Sequence, residues 1–202
     1  MAELSWSYFL PVPPSSAPKS VADVIALAKN KPVNYASSGE GSPEHIAAEM
    51  FKAMTKTGMT HVSYKGGAPS ALALISGEVD LTYENSLIIT PHIKSGKVKG
   101  IAVTSAKRSA LLPELPTIAE TLPGYSASGW YGLLAPAATQ KPVIARLHAE
   151  AVKALRAPDV VERLTAAGVD IQTTTPKAWG EFVAAEISKW SRVVKEAGVK
   201  VE

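Results

Sequence analysis

The sequence predicts an α/β fold with a mainly parallel sheet, on two observations. Short β-prone runs alternate with amphipathic stretches of about 10–15 residues, the order expected of βαβ units. Loops rich in Gly, Ser and Pro stand where each strand would hand over to a helix. A chain of 202 residues, 46% hydrophobic and 19% charged, can bury such a core without metal or disulfide staples.

In chain order, Pro11, Pro13, Pro14 and Pro18 oppose regular structure, so residues 1–19 are expected to form an extended leading segment. Ser20 caps a helix with Val21, Val24, Ile25 and Leu27 on one side, and Pro32 closes it. Val33-Asn34-Tyr35-Ala36 is a short strand. Pro43, at a first helical position, opens a helix to about residue 57 with Ile46, Ala47, Met50 and Met54 as its apolar stripe. His61-Val62-Ser63-Tyr64 is the next strand, followed by a short helix ending at Gly77. Residues 79–83 form a third strand, 87–95 a helix and 100–104 a fourth strand.

After Ser105 the texture changes. Pro113, Pro116 and Pro123-Gly124 punctuate a loop-rich passage with one short helix near 117–121. Trp130 to Ala135 reads as an apolar strand, followed by helices at 142–156 and 158–167 and a short strand at 169–172. A last helix, 177–197, carries Trp179, Phe182, Val183, Ile187, Trp190 and Val194 at helical spacing. No tandem repeat or low-complexity segment interrupts this order. The expected division is a leading segment and first helix (1–32), a compact α/β lobe (33–125), and a return strand with C-terminal helices (126–202).

The composition narrows the function classes. Lys and Arg number 21 against 18 Asp and Glu, a net charge of +3. That excess is small and evenly spread, with one basic doublet at Lys107-Arg108, so nucleic-acid binding is not expected. The absence of cysteine excludes a disulfide framework, thiolate zinc sites and a cysteine nucleophile. No run approaches the roughly 18 apolar residues of a membrane span. The opening MAELSWSYFL has an early acid and no basic n-region, so it does not read as a secretory signal.

The Gly- and hydroxyl-rich loop Ser37, Ser38, Gly39, Glu40, Gly41, Ser42 is the most informative local feature. Free N–H groups at a helix start, with the positive end of the helix dipole, make an anion site, and Gly39 and Gly41 allow close backbone approach. An ordinary capped βα turn is the competing reading. The Gly-x-Gly order lacks the third glycine of a dinucleotide fingerprint and the Lys of a phosphate loop. Tyr64, Lys65, Gly66 and Gly67 follow the next strand end, where open α/β sheets bind ligands. Glu84, Asn85 and Ser86 form a polar cluster on the third, although Asn85 and Ser86 also suit a helix cap. Thr104-Ser105 completes the set on the fourth. Four polar strand ends would converge on one pocket edge.

Enzyme signals are weak. There is no Gly-x-Ser-x-Gly elbow, and His45, His61, His92 and His148 show no HExxH or paired ligand spacing, so no metal site or cofactor is expected. Asp80 and Glu84 are not marked as an acid–base pair. Of the aromatics beside Gly129 and Gly132, Trp130 or Tyr131 is placed to wall a cleft, with core packing the competing reading, favoured for Tyr131. Trp179 and Trp190 fit a core-facing stripe.

The order Tyr35-Ala36-Ser37-Ser38-Gly39-x-Gly41-Ser42, His61-Val62-x-Tyr64-Lys65-Gly66 and Gly77-x-Val79-Asp80-Leu81 resembles the substrate-binding proteins of tripartite tricarboxylate transporters, the Bug family. Pro91-His92-Ile93-Lys94, Ala102-Val103-Thr104-Ser105, Leu115-Pro116-Thr117 and Trp130-Tyr131-Gly132-Leu133-Leu134-Ala135-Pro136 extend the likeness to nearly the whole chain. The resemblance implies a non-enzymatic, two-lobe α/β architecture of the periplasmic-binding-protein type (type II). Such a protein closes on a small organic carboxylate and delivers it to transporter membrane subunits without itself spanning the membrane.

By position, the resemblance gives Ser37, Ser38, Gly39, Gly41, Ser42, Tyr64, Lys65, Gly66, Glu84, Asn85 and Ser86 as substrate-binding residues. Aspartate is common in the family where Glu84 stands, so the longer side chain is expected to alter the pocket. Family members begin with a secretion signal and a Gly-rich loop after the first strand. Neither is evident here, so the first lobe is expected to be incomplete. The implied location is periplasmic, or cytoplasmic if the chain is expressed as written. The alternatives are a shortened member that binds nothing, and a small α/β enzyme acting on a carboxylate.

Overall fold

A computed structural model describes residues 2–198, and the chain divides into two compact units. The larger comprises residues 7–128 with 190–202, the smaller residues 1–6 with 129–189. The leading segment is a strand, β1 (Ala2–Val12), which contributes its first part to the smaller unit and the rest to the larger. The extended-segment expectation gave too much weight to the prolines. Only Pro11 falls within the strand, at the point between Leu10 and Pro11 where the register shifts. A residue without an N–H is tolerated at such an irregularity.

In the larger unit, α1 (Val21–Asn30) starts at Ser20, whose hydroxyl accepts from the Asp23 N–H. The strands β2 (Val33–Ser37), β3 (Met59–Ser63) and β4 (Leu81–Thr82) make a parallel sheet in the order β3-β2-β4. The helix α2 (Pro43–Thr55) joins the first pair and α3 (Gly67–Ser76) leads to the third strand. α2 begins with Ser42 capping the His45 N–H and Pro43 in its first turn, and ends on Lys56 in the left-handed conformation.

Two sequence expectations need correction here. The third strand is split: after Leu81–Thr82 the chain leaves the parallel sheet, and β5 (Glu84–Asn85) pairs antiparallel with β1. The fourth strand, β6 (Lys99–Val103), also pairs antiparallel with β1, so it adds no fourth parallel strand. Alternation of strands and helices does not specify which strand a newcomer pairs with, and β1 was missing from the count. α4 (Ser86–Lys94) fills the connection and is capped by Asn85, the side chain of which accepts from the Leu87 N–H. A 3-10 turn at Ile118–Glu120 is closed by a reciprocal capping box between Thr117 and Glu120.

Two apolar clusters hold this unit together. Leu10, Val24, Phe51, Tyr83 and Tyr125 lie in one, with Trp190 packed against it; Phe9, Ala36, Leu74, Ile89 and Val103 lie in the other.

In the smaller unit, Ala2–Trp6 pairs antiparallel with β8 (Val169–Thr173). The strand β7 (Ser128–Gly132) ends three residues earlier than expected, and Leu133 and Leu134 beyond it are exposed. Its glycines are dictated by aromatic neighbours. A Cβ at Gly129 would meet the Trp6 ring, and one at Gly132 would meet the Trp179 ring, each well inside contact distance. Trp130 stands edge-on to Trp179 and Phe182, while Tyr131 lies 4.6 Å from Trp6 yet is 68% exposed, against the core placement favoured for it. The helices α5 (Lys141–Leu155) and α6 (Pro158–Ala166) bury no residue fully. The last helix, α7 (Pro176–Ala197), buries Trp179.

Candidate functional site

The carboxyl ends of β2 and β3 bring the first two predicted loops into direct contact. The Tyr64 N–H donates to the Ser37 carbonyl at 3.1 Å and the Gly66 N–H to the Ser38 carbonyl at 3.0 Å. From the third strand, the Thr82 hydroxyl donates to the Ala36 carbonyl and lies 3.0 Å from the Ser70 hydroxyl. Gly67 opens α3 directly against the next polar segment. A Cβ there would stand 2.5 Å from Glu84 Oε1, so the missing side chain makes room for Glu84. Ser37, Ser38, Gly39, Gly66 and Glu84 are thus gathered at one end of the parallel sheet.

Glu84 is the least ordinary member. It is fully buried; its Oε1 accepts from the Asn85 N–H at 2.9 Å, and Oε2 has no partner. Burial, with the Glu44 carboxylate nearby, pushes its carboxyl from the ordinary 4.5 up to about 8, against the Asn85 hydrogen bond and the nearby Ser70 hydroxyl, which oppose the shift. At neutral pH Glu84 is therefore a neutral acid and can donate a hydrogen bond. The hydroxyls of Ser86 and Thr90 on α4 are likewise buried without partners. Three buried polar groups without partners mark this segment as unfinished by the protein alone.

The first loop is arranged differently from the sequence expectation. Its donors are turned inward: the Gly39 N–H donates to Ser37 Oγ, the Gly41 N–H to His45 Nδ1, and the Ser38 hydroxyl to the buried Glu44 carboxylate at 2.7 Å. Ser42 is occupied as the cap of α2. The Tyr64 hydroxyl is committed to Glu78 at 2.8 Å, and Lys65 is exposed. Asn85 serves as the α4 cap. Thr104 and Ser105 join Tyr8 and Ser7 instead of the other loops.

Two histidines that spacing did not connect meet under the first loop. His45, on α2, and His61, on β3, stack at 3.8 Å with 11° between their planes, and His61 also stacks on Tyr35. Burial lowers the pKa of both, and for His61 the proximity of His45 adds to the effect. Their sixteen-residue separation crosses a helix and a turn, so only the parallel pairing of β2 with β3 brings them together.

Residues 2–199 match the family model described as tripartite tricarboxylate transporter family receptor. The chain belongs to that family. Among relatives of this receptor family, the chain is 34% identical over 186 residues to protein BugT of Bordetella pertussis, covering 91% of this chain and 57% of BugT. The chain thus spans little more than half the length of that relative. A solved R. palustris protein with adipate is 34% identical, covers 98% of this chain and 68% of its own, and superposes with a TM-score of 0.85. The periplasmic binding protein BugD is 28% identical, with 100% and 69% coverage and a TM-score of 0.81. The receptor family's fold is therefore that of periplasmic-type α/β binding proteins, as the sequence resemblance implied, and the family is one of receptors and not of enzymes.

Proposed function

We propose that this chain supplies a carboxylate-binding surface of an extracytoplasmic receptor. The receptor would take up a small organic acid and hand it to the membrane subunits of a tripartite tricarboxylate-type transporter. The observation that carries the reading is the fully buried Glu84, packed against Gly67 and held near neutral charge with Oε2 unpartnered. A neutral carboxylic acid donates to a ligand carboxylate, whereas an ionised one repels it. Ser86 and Thr90 add two buried hydroxyls that lack partners. The R. palustris relative solved with adipate makes aliphatic dicarboxylates the first class to try.

A thermal-shift screen against mono-, di- and tricarboxylates, with the corresponding neutral amides as controls, tests this. A ligand at a hundredfold over its Kd adds roughly 2.7 kcal/mol of stability, an easily visible rise. A rise with carboxylates and none with amides is the expected result. A cooperative melt unmoved by any acid would favour the second reading, a family member with no ligand site. The internal bonding of the Gly39, Gly41 and Ser38 donors is the observation on its side. Recovery of a chemically altered acid would replace both readings with an enzyme.

A further inference from the structure

The stacked histidines have a third neighbour. Glu40, in the loop between β2 and α2, places Oε1 3.7 Å from His45 Nδ1 and Oε2 3.3 Å from His61 Nδ1. The three ligand-capable atoms all lie within 4.8 Å of one another.

Each ring makes a hydrogen bond that bears on its tautomer. His45 Nδ1 accepts from the Gly41 N–H at 3.0 Å, so in the neutral ring the proton is on Nε2, which faces Glu49 Oε1 at 3.8 Å. Glu49 is itself held by Tyr35 and Lys52. His61 Nε2 lies 2.7 Å from Ser37 Oγ. The Ser37 hydroxyl also lies 2.9 Å from the Gly39 carbonyl; when its proton goes there, Oγ accepts from His61 Nε2–H and Nδ1 keeps its lone pair. In that tautomer both Nδ1 atoms face the Glu40 carboxylate as acceptors, at 3.7 and 3.3 Å. Two imidazole lone pairs and a carboxylate then make a set of acceptors, into which the Gly41 N–H donates.

We propose that Glu40, His45 and His61 form a site for a divalent transition-metal ion, with water completing the coordination. Two imidazoles and one carboxylate suit Zn2+, with each bond about 2.0–2.2 Å long. Tautomers fixed by outer partners such as Ser37 and Glu49 are the usual support of metal-bound histidines. Binding exchanges the Gly41 hydrogen bond for a metal bond and splays the stacked rings so that both lone pairs meet the ion. Glu40, 58% exposed, swings in to close the site from the solvent side. The ion would then tie the β2–α2 loop to β3. None of this depends on whether the neighbouring loops hold a carboxylate.

The test is calorimetric titration of tag-free, EDTA-treated protein with Zn2+, repeated with Co2+ and followed by visible absorption. One equivalent should bind, raise the melting temperature reversibly with EDTA, and give the intense Co2+ bands of a low-coordinate nitrogen–oxygen site. Glu40→Gln, at an exposed position, and His61→Gln should each weaken binding at least about tenfold. His92→Gln, on α4, should leave it unchanged. Absence of saturable binding to the folded protein would overturn the proposal. So would one-equivalent binding that survives both Glu40→Gln and His61→Gln.

Discussion

At the scale of single residues, Glu84 sets the behaviour most open to measurement. The unfolded chain releases its proton near pH 4.5 and the folded chain near 8, so between those values the native state holds the extra proton. Stability must then fall as pH rises through this window and level off above it. Each pH unit is worth ~1.4 kcal/mol for a group fully protonated in one state and ionised in the other. Glu84→Gln keeps a neutral, hydrogen-bonding side chain at that position. Its melting temperature should vary less between pH 5 and 8 than that of the parent and exceed it at pH 8. Carboxylate affinity should follow the same group, weakening above pH 8 in the parent and holding in the variant. Equal pH profiles for the two proteins would mean that Glu84 is ionised in the fold.

The single residues also divide by how well they could be read. Ser42 was legible both as an anion donor and as a cap, and it is a cap. Lys65 was the obvious cation for an acidic ligand, yet it stays at the surface while the neutral acid Glu84 is buried. Sequence gives a side chain its chemistry but not its environment, and environment is what moves a carboxyl by several pH units.

At the scale of elements, glycine position discriminates between packing and propensity. Gly67 begins α3, and a Cβ there would press on Glu84 Oε1 and on Ile88 Cδ1 at 2.5 and 2.6 Å. Gly67→Ala should cost ~1–3 kcal/mol by overpacking and displace Glu84. Gly180, within α7, meets nothing within 4 Å. Gly180→Ala should gain up to ~1 kcal/mol, the ordinary helical preference for alanine. Urea denaturation of the two variants checks the opposite signs, and a loss of stability in both would show that α7 packs more tightly at Gly180 than its open surroundings indicate.

The helices were the most legible elements, because Ser20, Ser42, Pro43, Asn85 and Thr117 are local signals for local hydrogen bonds. The strands were located nearly as well, but their partners were not. β6 has the composition of a buried parallel strand and pairs antiparallel with β1. β1 itself was hidden behind the prolines that follow it, although Trp6, Tyr8 and Phe9 are strand formers.

At the scale of the whole molecule, apolar surface is unevenly placed. The larger unit encloses its aromatic residues, with Tyr8, Phe51, Tyr83 and Tyr125 almost without exposure. The smaller unit leaves Leu133 60%, Leu134 77% and Leu147 56% exposed, and Leu133, Leu134, Ile144 and Leu147 line a shallow apolar recess of about 200 Å³. Exposed patches of this kind bind hydrophobic dyes. The folded protein should enhance anilinonaphthalene sulfonate fluorescence before any heating, and Leu134→Ser with Leu147→Gln should reduce it without lowering the melting temperature. An unchanged signal in the double variant would place the apolar surface elsewhere.

By itself the sequence determined the helices with their caps, the α/β class, the family and the loops at the ends of β2 and β3. Each is carried by short-range periodicity, by capping chemistry or by an ordered set of motifs. Only the tertiary structure decided which strands pair with β1, the burial that keeps Glu84 neutral, and the meeting of Glu40, His45 and His61. These depend on contacts between residues far apart in the chain, and on the desolvation those contacts produce. Neither distance nor dielectric is written in the spacing of residues along the chain.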